Sequence, residues 1–96
     1  MGLRYGIDID GVLTNETDGW NYDSRTPNLK MIDKVNRMFN KGHYIMLFSA
    51  RMKCDKAVTK EWLKRHGVKY NELILGKPKF DLYIDDIAIT PEDFLK

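Results

Sequence analysis

A single α/β domain on a parallel sheet is what this sequence predicts, and three observations predict it. Short apolar runs alternate with stretches of helical periodicity along the chain. The run at 44–48 is continuously apolar, as a strand covered on both faces requires. Two Thr-Pro pairs, Thr26-Pro27 and Thr90-Pro91, stand where helices would begin. A length of 96 residues suits one domain, so residues 1–96 are read as one unit without internal repeats.

The first strand is expected over 3–9 and ends in Asp8-Ile9-Asp10-Gly11, where charge and a turn glycine coincide. Residues 12–25 are polar with interspersed aromatics, including Trp20 and Tyr22, and read as a long loop or small hairpin. Thr26 is a favoured N-cap, and Pro27 suits a first helical position because its missing N–H would be unpaired there anyway. Ile32, Val35, Met38 and Phe39 then form one apolar helix face, which Gly42 closes. A second strand over 44–48 follows. A second helix over 55–66 carries Ala57, Val58 and Trp62, and Gly67 ends it. Short strands are expected at 73–75 and 82–84, and Thr90-Pro91-Glu92-Asp93 opens a last short helix.

Composition excludes several classes. A formal charge of +2 weighs against a nucleic-acid partner, whose surface would be more basic and more clustered. The run Arg51, Lys53, Lys56, Lys60, Lys64, Arg65 falls mostly at helical spacing and reads as a solvated helix face. Cys54 stands alone, so no internal disulfide forms. No apolar stretch approaches the ~20 residues of a membrane span, and no signal-peptide pattern opens the chain. A cytoplasmic protein without a membrane partner is expected. His43 and His66 lack motif partners and read as structural, and Met31, Met38 and Met46 read as core filling.

In parallel sheets, ligands sit beyond the carboxyl ends of the strands. The residues at those ends are Asp8 and Asp10, then Ser49, then Lys77, then Asp85 and Asp86. Carboxylates gathered at one edge repel unless a cation sits among them, and oxygen-only ligands favour a hard ion, best Mg²⁺. A serine and a lysine beside it suit a phosphoryl group, whose transfer depends on positioning and charge neutralisation. One carboxylate can attack phosphorus as a nucleophile, and a second, two residues on, can move the protons.

The stretches DIDGV (8–12), LFSAR (47–51), GKPKFD (76–81) and YIDD (83–86) resemble, in order, the four motifs of the haloacid dehalogenase superfamily of phosphohydrolases. The resemblance spans nearly the whole chain. It implies Asp8 as nucleophile and metal ligand, and Asp10 as general acid/base with its carbonyl on the metal. It implies Ser49 on the phosphate, Lys77 on the nucleophile and the phosphoryl charge, and Asp85 with Asp86 as acidic metal ligands, either of them direct. Val12 departs from the threonine common at that point of the family motif. The resemblance further implies a minimal Rossmann-like three-layer sandwich of about four parallel strands in the order 4-1-2-3. The 38 residues between Asp10 and Ser49 are used up by a loop and a helix, which leaves no room for a cap domain. An open site of this kind admits a large substrate or is covered by a second copy of the chain. The run 62–86 is also similar to small phosphatases of bacterial capsule and surface-polysaccharide synthesis, which implies a phosphorylated sugar or related small metabolite as substrate.

Competing readings remain for several residues. Arg51 is equally a contact to the phosphate and a loop arginine. Trp20 and Tyr22 read more readily as structural than as stacking on substrate. A nucleotidase, a polynucleotide-end phosphatase and a non-catalytic phosphate-binding domain are the alternative functions. A phosphoacceptor signalling domain is disfavoured, because there the acidic pair ends the first strand and here it ends the last.

Overall fold

Three apolar runs form parallel strands: β1 (Arg4–Asp8), β2 (Tyr44–Phe48) and β3 (Glu72–Ile74), in the spatial order β1-β2-β3. The structure is a computed structural model that describes residues 2–15 and 21–96. Parallel neighbours need crossover connections. Here α1 (Leu29–Asn40) joins β1 to β2, and α2 (Lys56–Arg65) joins β2 to β3. A last short helix, α3 (Pro91–Leu95), packs on α1. The register pairs Tyr5 with Ile45, Ile7 with Leu47 and Leu47 with Leu73, which puts these side chains on one face. Ile7, Ile45 and Leu47 there meet Met31, Ile32 and Val35 of α1 and Trp62 and Leu63 of α2 in a single core.

The sequence signals hold at the helix ends, with one shift. Thr90 caps α3 through its Oγ1, which accepts from the Asp93 N–H at 3.1 Å, and Pro91 takes the first turn. Gly42 follows α1 with φ of 94°, and its N–H donates to the Phe39 carbonyl at 3.0 Å. The helix α1, however, starts at Leu29 under Asn28 and not at Pro27, with Asn28 Oδ1 accepting from the Met31 N–H at 3.2 Å. Pro27 is held extended in an antiparallel bridge to Thr14, and the Asn28 N–H donates to the Leu13 carbonyl at 2.8 Å. These bonds tie the loop after β1 to the helix start and use up the first position of the expected helix.

Two expectations about the sheet are corrected. On β2, Ile45 and Leu47 are fully buried, whereas Tyr44 is exposed and Met46 and Phe48 are half-buried. One face is closed and the other only partly covered, so the strand is not buried on both sides and the closed third layer is not seen. The fourth strand expected at 82–84 does not form among the described residues. Leu82 and Ile84 are 82% and 93% exposed, and β1 keeps an open edge. Local bonds hold this segment instead. The Tyr83 hydroxyl and the Ile87 N–H both donate to Asp85, and the Phe80 and Tyr83 rings stack at 5.2 Å.

Trp62 joins the core to the loop before α1: its ring is buried and its Nε1 donates to the Arg25 carbonyl at 2.7 Å. Trp62→Phe keeps an aromatic ring but removes that hydrogen bond. It is expected to lower stability by about 1–3 kcal/mol, read from urea denaturation. An unchanged midpoint would show that the bond contributes nothing.

Candidate active site

The strand ends are brought to one edge by backbone bonds that prolong the ladder. The Ile9 N–H donates to the Phe48 carbonyl at 2.9 Å, and the Ser49 N–H to the Ile74 carbonyl at 3.0 Å. After β3 the chain turns at Gly76, whose φ is 80°, and the Lys77 N–H donates to the Ser49 carbonyl at 3.0 Å. This return lays Lys77 beside the end of β1, with its Nζ 3.4 Å from Asp8 Oδ2. The other Asp8 oxygen accepts from the Ile9 N–H at 3.0 Å, and the side chain stays 41% exposed. Asp8, Asp10, Ala50, Lys77, Lys79 and Phe80 line a cleft of about 140 Å³. A larger cleft of about 510 Å³ lies between Gly11, Thr14, Asn28 and Thr90. The oxygens of Thr14, Asn28 and Thr90 there already accept bonds that hold turns and helix ends, so the smaller cleft is the candidate site.

Asp10 is the most heavily bonded group of the edge. Ser49 Oγ donates to its Oδ2 at 2.9 Å. Arg51 lays its fork across the carboxylate, with Nη2 at 2.7 Å from Oδ1 and Nε at 3.2 Å from Oδ2. Arg25 Nη1 reaches Oδ1 at 3.3 Å. The remaining Arg51 amino group, Nη1, donates to Thr59 Oγ1 of α2 at 3.0 Å, and the guanidinium lies 4.0 Å from the centre of the Tyr22 ring. Burial raises the Asp10 pKa, but the bonds and charge of Arg51, with Ser49 and Arg25, outweigh it and hold the carboxyl below its usual range.

Asp8, Asp10, Ser49, Lys77 and Arg51 thus come together as the sequence predicts, but two of them face differently. Ser49 and Arg51, expected on phosphate, are turned to Asp10, and Arg51 is buried and not part of a solvated helix face. Tyr22 packs structurally against the guanidiniums, while Trp20 lies outside the described residues. Arg25, Thr59 and Lys79 are not singled out by the sequence. Arg25 comes from a loop distant in sequence, Thr59 is masked by its helix pattern, and Lys79 sits inside GKPKFD without a distinguishing spacing.

Asp85 and Asp86 do not join the cleft. Both are exposed, and among the described residues no three His, Cys, Asp or Glu side chains gather closely enough to hold a metal ion. A magnesium ion demands several oxygens in near-octahedral array. Here the Asp10 carboxylate is engaged by arginines, and two carboxylates share the edge with four cations: Arg25, Arg51, Lys77 and Lys79. In this arrangement the described residues do not build a magnesium site. That charge balance favours an anion.

Fold and edge define a small α/β protein with a three-strand parallel sheet and a charged cleft at its strand ends. Among solved structures it is similar to a crystal structure from Vibrio cholerae, at 26% identity and a TM-score of 0.86 over 99% of this chain and 88% of that one. It is also similar to a chain of a Pnkp1/Rnl/Hen1 complex, at 23% identity and a TM-score of 0.65 over 99% of this chain and 33% of that one. A Pnkp1/Rnl/Hen1 RNA repair complex aligns at 17% identity and a TM-score of 0.68, over 99% of this chain and 30% of that one. The chain spans about a third of those two relatives, and the likeness to them is one of fold. No family model and no curated protein matches the sequence. No helix among the described residues is long and apolar enough to cross a membrane.

The Asp10 network has a pH signature. A carboxyl with a folded pKa below its ordinary 3.8 contributes stability that is present above that value and lost as pH falls through the folded one. Asp10→Asn is therefore expected to be less stable than the native chain at pH 7, with the gap closing in strong acid. Urea denaturation at both ends of that range measures it, and a gap independent of pH contradicts it.

Proposed function

We propose that the chain hydrolyses phosphate monoesters through attack by Asp8, as a capless phosphohydrolase of the haloacid dehalogenase type. The observation that carries this reading is the Lys77 ammonium 3.4 Å from Asp8 Oδ2, in a cleft shared with Asp10. A phosphoryl group there meets Lys77 and Lys79, whose charge offsets that of its oxygens. Asp8 attacks phosphorus, the bond to the leaving oxygen breaks, and the phosphoryl group rests on Asp8. Water then attacks phosphorus, and phosphate and the free carboxylate are released. The leaving oxygen takes up a proton in the first half and the water gives one up in the second, so one group at Asp10 serves both and ends as it began. As a depressed carboxylate, Asp10 suits the base of the second half, and to act as the acid of the first it takes up a proton from solvent beforehand.

Magnesium is the cofactor of this reading; Asp8, the Asp10 carbonyl and Asp85 or Asp86 would hold it if residues 82–86 paired with β1, which they do not in this structure, and it would neutralise the transferring phosphoryl charge. The small, open cleft suits a phosphorylated sugar or similar metabolite. The likeness to a chain of an RNA repair complex favours a second reading, a phosphate at a nucleic-acid end.

Asp8→Asn is expected to abolish phosphate release from a panel of sugar phosphates, nucleotides and a 3′-phosphorylated oligonucleotide, with an unchanged circular dichroism spectrum. Near-normal release by the purified variant would remove Asp8 as nucleophile. Mg²⁺ is expected to slow amide hydrogen exchange at 82–87 and chelator to stop turnover. Exchange there that ignores Mg²⁺ contradicts the strand, and turnover unaffected by chelator contradicts the cofactor.

A further inference from the structure

We infer that Arg51 is a positioning residue that presents Asp10 to the cleft, with Arg25 completing the hold. This rests on the phosphatase reading above. The Arg51 side chain is 1% exposed, and its Nε, Nη1 and Nη2 all have protein acceptors. A substrate phosphate cannot reach it without first displacing Asp10. Arg51 therefore acts through Asp10 and not on the substrate.

Its seat is built from separate parts of the chain. Thr59 Oγ1 accepts from Arg51 and donates to the Asp55 carbonyl at 2.8 Å, which fixes the hydroxyl on the first turn of α2. Tyr22 covers the guanidinium face, and the loop that carries Tyr22 and Arg25 is pinned to α2 by the Trp62 bond and by Arg65, whose Nη2 donates to the Asp23 carbonyl at 2.6 Å. Burying a guanidinium is expensive unless it is paired, and apolar residues often replace a sealed ion pair without loss of stability. This pair is not sealed: Arg51 is enclosed, whereas Asp10 keeps 30% of its side chain exposed and lines the cleft. One end is fixed by the core and the other is offered to substrate. The planar fork fixes the carboxylate's rotation, which a lysine point charge does not.

The test compares Arg51→Ala and Arg51→Lys, alone and with Asp10→Asn, by kcat and KM for phosphate release, with circular dichroism and thermal unfolding in parallel. Arg51→Ala is expected to lower kcat by about 100-fold or more with KM nearly unchanged. Arg51→Lys is expected not to restore it, and neither change is expected to lower the residual rate of Asp10→Asn further. If Arg51→Ala does not fold, Arg51→Lys carries the same comparison. A raised KM with kcat retained makes Arg51 a substrate contact and overturns the inference. So does additivity with Asp10→Asn, or a lowered melting temperature with an unchanged kcat per folded molecule. A wild type that releases no phosphate from any substrate overturns the phosphatase reading, and this assignment with it.

Discussion

The carboxylate of Asp10 is the point on which the edge of this sheet depends. Ser49 at the end of β2, Arg51 just beyond it and Arg25 from the loop before α1 all bond to it. Ser49 and Arg51 come from one stretch of sequence and Arg25 from another, so the carboxylate ties two further pieces of chain to the end of β1. Without it, the buried Arg51 guanidinium would lose the acceptor of its Nε and Nη2 and the buried Ser49 hydroxyl its acceptor, a loss larger than the net value of any one of these bonds. The core below is ordinary by comparison: Ile7, Ile45, Leu47 and Trp62 hold the layers together without specifying any chemistry.

This arrangement gives two neighbouring carboxylates different characters. Asp8 is half-open, touched by one lysine and one backbone N–H, and keeps an oxygen for chemistry. Asp10 is oriented on three sides and held as an anion. Separating two like groups by environment is how a site obtains a nucleophile and a proton carrier from the same residue type. The positive excess around them suits an anionic ligand.

Much of this was legible in the sequence wherever a local rule decides. The Thr90-Pro91 cap, the glycine after α1 and the three strands, each ending within one residue of its expected end, follow from backbone chemistry a few residues long. Asp8, Asp10, Ser49 and Lys77 were readable because parallel strands must deliver their ends to one edge. What escaped depends on contacts between distant segments. Arg25 meets Asp10 through a loop that Trp62 and Arg65 anchor to α2, and Pro27 was drawn into a bridge with Thr14. The segment 82–84 has the composition of a strand, but the Tyr83 hydroxyl goes to Asp85 and its ring to Phe80, and the segment does not pair with β1.

The central claim is that the phosphoryl group passes through Asp8. Asp10→Asn removes the base of the second half-reaction, whereas a monoester with a good leaving group, such as an aryl phosphate, needs little protonation in the first, so this pairing can trap what forms there. A single turnover of this variant with such a monoester, quenched in acid and read by tandem mass spectrometry, tests the claim most directly. A phosphoryl group on Asp8 that rises and then decays as phosphate appears is the predicted result. Phosphate released with Asp8 unmodified at every time point would contradict it and place the attack on water from the outset.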